Sequence, residues 1–282
     1  MEEHLEEKIQ EVDVEKDYII EEISGFKKPR HSGVEMVVKR SRCLTGIESL
    51  DNILNGGIPQ GNTVLLTGSV GTGKTTWAME FLVNGVRLEE NGAFISVTEP
   101  IAKLLENMYT FDFFDSSMVK EGKLHLFDLS VIYDRLGLEE RDYTVEDMDA
   151  LLGAFEDIVD ELAISRLVID SITAVCFQLQ TKPKIRDFIF KLGKFLSVFG
   201  CTTILISEVG TGSAQYSVYG VEEAISDGII LLGNIERRGD LLRTLQVIKM
   251  RGTAHSRAKY IMDLTTQGTT LTPLLKWGSV IG

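Results

Sequence analysis

Eight residues, Gly68-Ser-Val-Gly-Thr-Gly-Lys-Thr75, have the types and spacing of a phosphate cradle, G-x-x-x-x-G-K-[ST]. Glycines let the backbone curl until several N–H groups face one anion-sized hollow. Lys74 brings a compact positive charge to the β- and γ-phosphates, and the Thr75 hydroxyl is a ligand for Mg²⁺. The helix that follows adds its positive N-terminal end. The nucleotide-binding set is therefore Gly68, Ser69, Val70, Gly71, Thr72, Gly73, Lys74, Thr75 and Thr76. A nucleoside triphosphate is the expected ligand.

Such a site needs a second acid for the metal's water shell. Arg166-Leu-Val-Ile-Asp170 supplies it as an apolar strand ending in a carboxylate at the sheet edge where the cradle also sits. Hydrolysis needs a group that orients or deprotonates water. Glu99, after the strand Ala93–Val97, is the natural candidate, and Glu208, after Thr202–Ser207, is its rival. Cations able to offset phosphoryl charge are grouped in Lys249-Met-Arg251-Gly-Thr253-Ala-His255. Alternation puts Lys249 and Arg251 on one strand face. They are either solvated edge charges or fingers for a phosphate of the same or a neighbouring subunit.

The elements that must position these groups read as an α/β alternation. Strands are expected at Asn62–Thr67, Ala93–Val97, Leu124–Leu129, Arg166–Ile169 and Thr202–Ser207. Helices are expected at Thr75–Arg87, Pro100–Tyr109, Val145–Leu162, with Thr144 as its N-cap, and Lys184–Phe199. Nearly all-apolar strands between helices predict a mostly parallel twisted sheet covered on both faces. Gly228–Leu232, Leu242–Lys249 and Lys259–Leu264 follow without helices between them, so the sheet is expected to end in an antiparallel extension. The expected division is an acidic helix and basic linker over 1–42, one nucleotide-binding α/β domain over 43–268 and a short tail over 269–282.

Composition narrows the partners. The net charge is −13, of which residues 1–22 contribute −8, with ten acids against two bases. An acidic domain repels phosphodiester backbones, so nucleic acid is an unlikely partner. Leu5, Ile9, Val12, Ile19 and Ile23 make residues 1–24 a short amphipathic helix that docks a protein partner, or else a frayed acidic tail. No apolar run approaches the roughly 20 residues that span a membrane. The start Met-Glu-Glu-His is not a secretory signal. Cys43, Cys176 and Cys201 lack metal spacing and read as reduced thiols in a cytoplasmic protein.

Taken in order, Thr45-Gly-Ile-Glu-Ser-Leu-Asp51, Gly56-Gly-Ile-Pro59, the cradle Gly68–Thr75, Val168-Ile-Asp170-Ser171, Tyr219-Gly-Val-Glu-Glu223, Ser226-Asp227 and Lys249-Met-Arg-Gly-Thr253 resemble a KaiC-type ATPase of the RecA/RadA superfamily. The resemblance runs from about Cys43 to Gly268. It implies a RecA-like P-loop core, ATP and Mg²⁺ as ligands, and a homo-oligomeric ring, usually a hexamer, with ATP between subunits. In that pattern Lys249 and Arg251 match trans-acting fingers, and Thr253 and His255 match positions lining the neighbour's nucleotide. The implied catalytic set is Lys74, Glu99, Asp170, Lys249 and Arg251, with Thr75 and Asp170 at the metal.

Two departures stand out. The family commonly ends the strand after the cradle with two glutamates, the first being the base; here Thr98 stands first and Glu99 second. A threonine hydroxyl does not accept the water's proton at neutral pH, which points to slow hydrolysis. The C-terminal end Gly268–Trp277 lacks the long tail of clock members. The function implied is a regulatory or scaffold switch that hydrolyses ATP slowly. Two alternatives remain: a RecA/RadA-like DNA-binding paralogue using the loops Gln178–Lys184 and Val209–Tyr216, and a Ser/Thr autokinase with Thr211, Ser213, Ser217 or Thr253 as acceptor.

Overall fold

The computed structural model of the chain describes residues 41–137, 144–210 and 215–274. The acidic stretch 1–24, the linker, Thr211 and Ser213 lie outside the described residues. The described chain opens with β1 (Arg42–Cys43), α1 (Glu48–Ile53) and β2 (Ile58–Pro59). The alternation follows: β3 (Thr63–Gly68), α2 (Lys74–Arg87), β4 (Asn91–Ser96), α3 (Ile101–Met108), α4 (Ser117–Lys120), β5 (Leu124–Asp128), α5 (Leu129–Leu136), α6 (Val145–Glu161), β6 (Ile164–Asp170), α7 (Ile172–Phe177), α8 (Lys182–Val198) and β7 (Thr202–Glu208). After the short α9 (Glu222–Ile225) come β8 (Gly228–Arg237), β9 (Asp240–Met250), β10 (Lys259–Thr265) and β11 (Gly268–Pro273).

One sheet holds nine of these strands in the order β11-β10-β9-β8-β3-β7-β6-β4-β5. From β8 to β5 all neighbours are parallel, and β9, β10 and β11 continue antiparallel. Adjacent residues of β3 serve opposite cores. Val64 and Leu66 pack with Trp77, Phe81 and Leu82 of α2, whereas Leu65 packs with Phe155 of α6 and Phe188 of α8. That double coverage is why the parallel strands read as unbroken apolar runs. Each such side chain contributes about 1.5–3 kcal/mol through burial.

Local chemistry sets the ends of several elements. Thr144 caps α6 as expected: its hydroxyl accepts from the Asp147 N–H at 3.2 Å, and the Asp147 carboxylate accepts from the Thr144 N–H at 2.8 Å. β8 and β9 run past their expected ends at Leu232 and Leu242, because Arg238 (φ 56°) and Gly239 (φ 89°) form a two-residue hairpin turn that keeps exposed residues paired.

Strand β11 was not expected within the tail. Its Thr269 and Leu271 are buried and Thr270 and Thr272 exposed, a strand alternation masked by threonines. Glu80 of α2 anchors it: the buried carboxylate accepts from the Thr269 N–H at 2.9 and 3.0 Å and from the Thr269 hydroxyl. Burial pushes this carboxyl above its ordinary value, and the Thr269 hydrogen bonds oppose that rise. A raised folded-state pKa favours folding at acid pH, and that contribution is lost as pH rises through the folded value. Glu80→Ala should cost about 2 kcal/mol, since it strands the donors of Thr269. The stability gap between wild type and Glu80→Gln should narrow from pH 4.5 to 7.5; denaturant melts at both pH values check this.

Candidate active site

Strand β3 ends at Gly68 in mid-sheet, between β8 and β7, and α2 starts at Lys74. The turn between them is built on close approach. A Cβ at Gly68 would overlap the Leu232 carbonyl oxygen of β8, and one at Gly73, where φ is 91°, would run into Leu264 of β10. The first-turn N–H groups of α2 have no carbonyl partner within the helix and face the turn. Thr72 braces it by donating to the Ser69 carbonyl at 2.8 Å.

Lys74 is buried, and its ammonium donates to the Gly68 and Ser69 carbonyls at 2.9 and 3.0 Å. Burial lowers its pKa, while the carboxylates of Glu208 and Asp170 pull it back up. The Thr75 hydroxyl donates to the Asp170 carboxylate at 2.6 Å, so the two expected metal ligands meet although 95 residues separate them. The Asp170 carboxyl is raised, chiefly by burial and also by Glu208 and Glu99, against the pull of Thr75 and Lys74. A basic nitrogen, a hydroxyl, a carboxylate and a run of helix-start N–H groups thus converge at one sheet edge. That donor set fits a triphosphate with a hard divalent cation.

Both candidate bases reach this edge. Register places Glu208 beside Gly68, and Ser96 beside Asp170. Glu99 lies just past that strand end, where its carboxylate accepts from the Asn107 amide at 3.2 Å and stands 3.9 Å from Lys103 of α3. Glu208 acts electrostatically on both Lys74 and Asp170, and Glu99 on Asp170 alone. Thr98 is exposed.

The remaining expected residues lie elsewhere. Lys249 pairs in register with Ile229, which pairs with Leu65 near the start of β3, so Lys249 and Arg251 sit toward the sheet end opposite the cradle. From Thr63 to Gly68 is about 16 Å of strand. Lys249 donates to the carbonyls of Glu223 and Ser226 at 3.0 and 2.6 Å, and burial followed by Arg251 lowers its pKa. Arg251 donates to the carbonyls of Ala224 and Ile225 and to the Asp227 carboxylate. Thr253 donates to the Leu54 carbonyl at 2.7 Å, and the His255 Nε2 is buried without a hydrogen-bond partner.

One cation at the cradle escaped sequence reasoning. Arg243 of β9 donates to the Gly71 carbonyl at 3.3 Å. The hairpin carries it there, since Arg243 pairs with Asn234, two residues beyond the Leu232 that flanks Gly68. The turn at Arg238-Gly239, counted back along both strands, was the available signal.

A family model described as the KaiC ATPase matches residues 43–276. A UPF0273 protein of Thermotoga maritima is 36% identical over 236 residues, covering 82% of this chain and 96% of that protein. The circadian clock oscillator protein KaiC of Synechococcus elongatus is 32% identical over 247 residues, 87% of this chain but 46% of its own length. The chain thus spans about half of the clock proteins it matches. The crystal structure of a KaiC-like protein from Pyrococcus horikoshii superposes with a TM-score of 0.71 at 34% identity, covering 83% of this chain and all of that one. With a RecA-type sheet, a phosphate cradle paired to Asp170 and a match running from Cys43 into the C-terminal tail, this chain belongs to the KaiC-type ATPase family.

Proposed function

We propose that the chain binds and slowly hydrolyses ATP at the interfaces of a homo-oligomeric ring, and serves as a regulatory or scaffold switch. The observation that carries this reading is the separation of cradle and cations. Lys74, Thr75 and Asp170 converge at one end of the sheet, whereas Lys249 and Arg251 lie toward the other. Charges so placed serve a nucleotide held by a second copy better than their own, as the family resemblance implies.

Each residue then has a role. The cradle N–H groups and Lys74 hold the phosphates, and Arg243 adds charge from the same subunit. Thr75 and Asp170 would hold Mg²⁺, which spreads the charge of the phosphoryl group when bound. Glu99, or else Glu208, orients the attacking water. Lys249 and Arg251 complete the site from the next copy, with Thr253 and His255 lining the nucleotide there. Hydrolysis would loosen that contact and so switch the assembly.

Among the described residues no helix is long and apolar enough to cross a membrane. The three buried free thiols suit a reducing cytoplasm; burial pushes Cys43 up to about 11 and Cys201 up to about 12, which keeps them as unreactive thiols. Phosphoryl transfer to the protein is less favoured. The Ser217 hydroxyl is buried against Glu223, and that of Thr253 is held by the Leu54 carbonyl. DNA binding is also less favoured, because the chain is acidic overall, with a net charge of −13.

The test follows the γ-phosphate of labelled ATP while light scattering reports mass with ATP and with ADP. Slow phosphate release from a ring supports the proposal; label retained on the protein, or monomers in both nucleotides, overturns it. Thr98→Glu places a carboxylate where the family keeps its base and should raise turnover about 10-fold. Unchanged or slower phosphate release would show that Glu99 or Glu208 already fills that role.

A further inference from the structure

We infer that Asp227 is a positioning residue of the interfacial site, holding the Arg251 guanidinium in the pose in which it meets a neighbouring copy's nucleotide. This rests on the proposed role of Arg251 as a cation acting between subunits. Asp227 sits between α9 and β8, and four bonds make it a junction. Its carboxylate accepts from the Arg251 guanidinium at 3.2 Å and from the Thr63 N–H at 3.1 Å. Its carbonyl accepts from the Arg251 N–H at 2.9 Å, and its own N–H donates to the Thr63 carbonyl at 2.8 Å. One residue therefore fixes both the backbone and the side chain of Arg251 to the first residue of β3. The last residue of that strand, Gly68, opens the cradle.

The guanidinium has five N–H donors. Those bonded here are met by Asp227 and the carbonyls of Ala224 and Ile225, and the side chain is still 53% exposed. Three acceptors on its two terminal nitrogens set the plane of the fork, while the side chain keeps its access to solvent. An exposed ion pair adds little to fold stability. A displacement of about 1 Å of a group acting on a reacting phosphoryl, by contrast, changes rates by up to about 100-fold. The benefit of this pair accordingly lies in orientation.

The experiment is a double-mutant cycle on ATP turnover in the full chain, with Asp227→Asn, Arg251→Ala and the combination, each with kcat, KM and a thermal melt. Asparagine keeps an acceptor for Thr63 and loses the charge that grips Arg251. Asp227→Asn should lower kcat about 10-fold, change KM less than about 3-fold, and cost nothing further in the Arg251→Ala background. Equal losses in both backgrounds would overturn the inference, since Asp227 would then act by bracing β3. An Arg251→Ala variant with wild-type kcat would instead sink the reading of Arg251 itself, and the inference with it. If Asp227→Asn does not fold, Asp227→Glu keeps the charge while moving the guanidinium by about a methylene length. A normal melt with turnover at least about 5-fold slower supports the inference, and wild-type turnover overturns it.

Discussion

Lys74→Ala should reduce ATP hydrolysis by about 10²–10³-fold, the cost of removing one preorganised charge from a phosphoryl site. Nucleotide affinity should fall with it, because the ammonium is the sole buried cation among the described residues of the cradle itself. Gly68 and Ser69 offer their carbonyls to Lys74 and so hold the ammonium inside the turn before any anion arrives. A preplaced charge loses little freedom on binding. Alanine leaves the turn itself intact, since its shape comes from Gly68, Gly73 and the Thr72 brace. The melting temperature should therefore move far less than activity. Titration with a fluorescent ATP analogue, phosphate release and a melt of the same sample check all three. Loss of folding together with activity would show that the lysine is a structural strut.

Arg251→Ala should lower turnover about 10³-fold, at the lower end of what an arginine finger supplies, while nucleotide binding to a single subunit stays near wild type. The decisive measurement mixes two inactive variants. If, as proposed, a site takes Lys74 from one copy and Arg251 from the next, an equal mixture of Lys74→Ala and Arg251→Ala chains restores about a quarter of the interfaces, half times half, in a randomly assembled ring. Recovery toward about a quarter of wild-type turnover is expected. No recovery, with rings still forming by light scattering, would overturn the assignment of this cation to a neighbouring site. The structure motivates the mixture: the carbonyls of α9 and the Asp227 carboxylate hold Arg251 near the start of β3, while Gly68 ends it.

Much of the site was legible because its parts are local in the chain. The cradle is one stretch of backbone whose glycines, lysine and threonine act within a single turn, so spacing alone announces it. Thr144 was legible as a cap for the same reason, its partner Asp147 being three residues away. The parallel strands were legible from apolar runs, and the pairing of Thr75 with Asp170 from the rule that the turn and helix start after one strand and the end of another meet at the carboxyl edge of the sheet. Strand β11 was hidden because Thr269 is buried as a hydrogen-bond partner of Glu80, a residue far away in sequence.

By itself, then, the amino-acid sequence determined the family and the phosphate-cradle motif with its lysine and threonine. Each rests on short-range sterics and hydrogen bonding, which a contiguous segment carries wherever it folds. Only the tertiary structure decided which end of the sheet each charge occupies. Register across β3, β8 and β9 brings Arg243 to the cradle, keeps Lys249 and Arg251 at the far end and seats Asp227 between Arg251 and Thr63. Shifting that register by one residue would turn every side chain of a strand to its other face. Such placement depends on contacts between distant segments, and no local spacing encodes it.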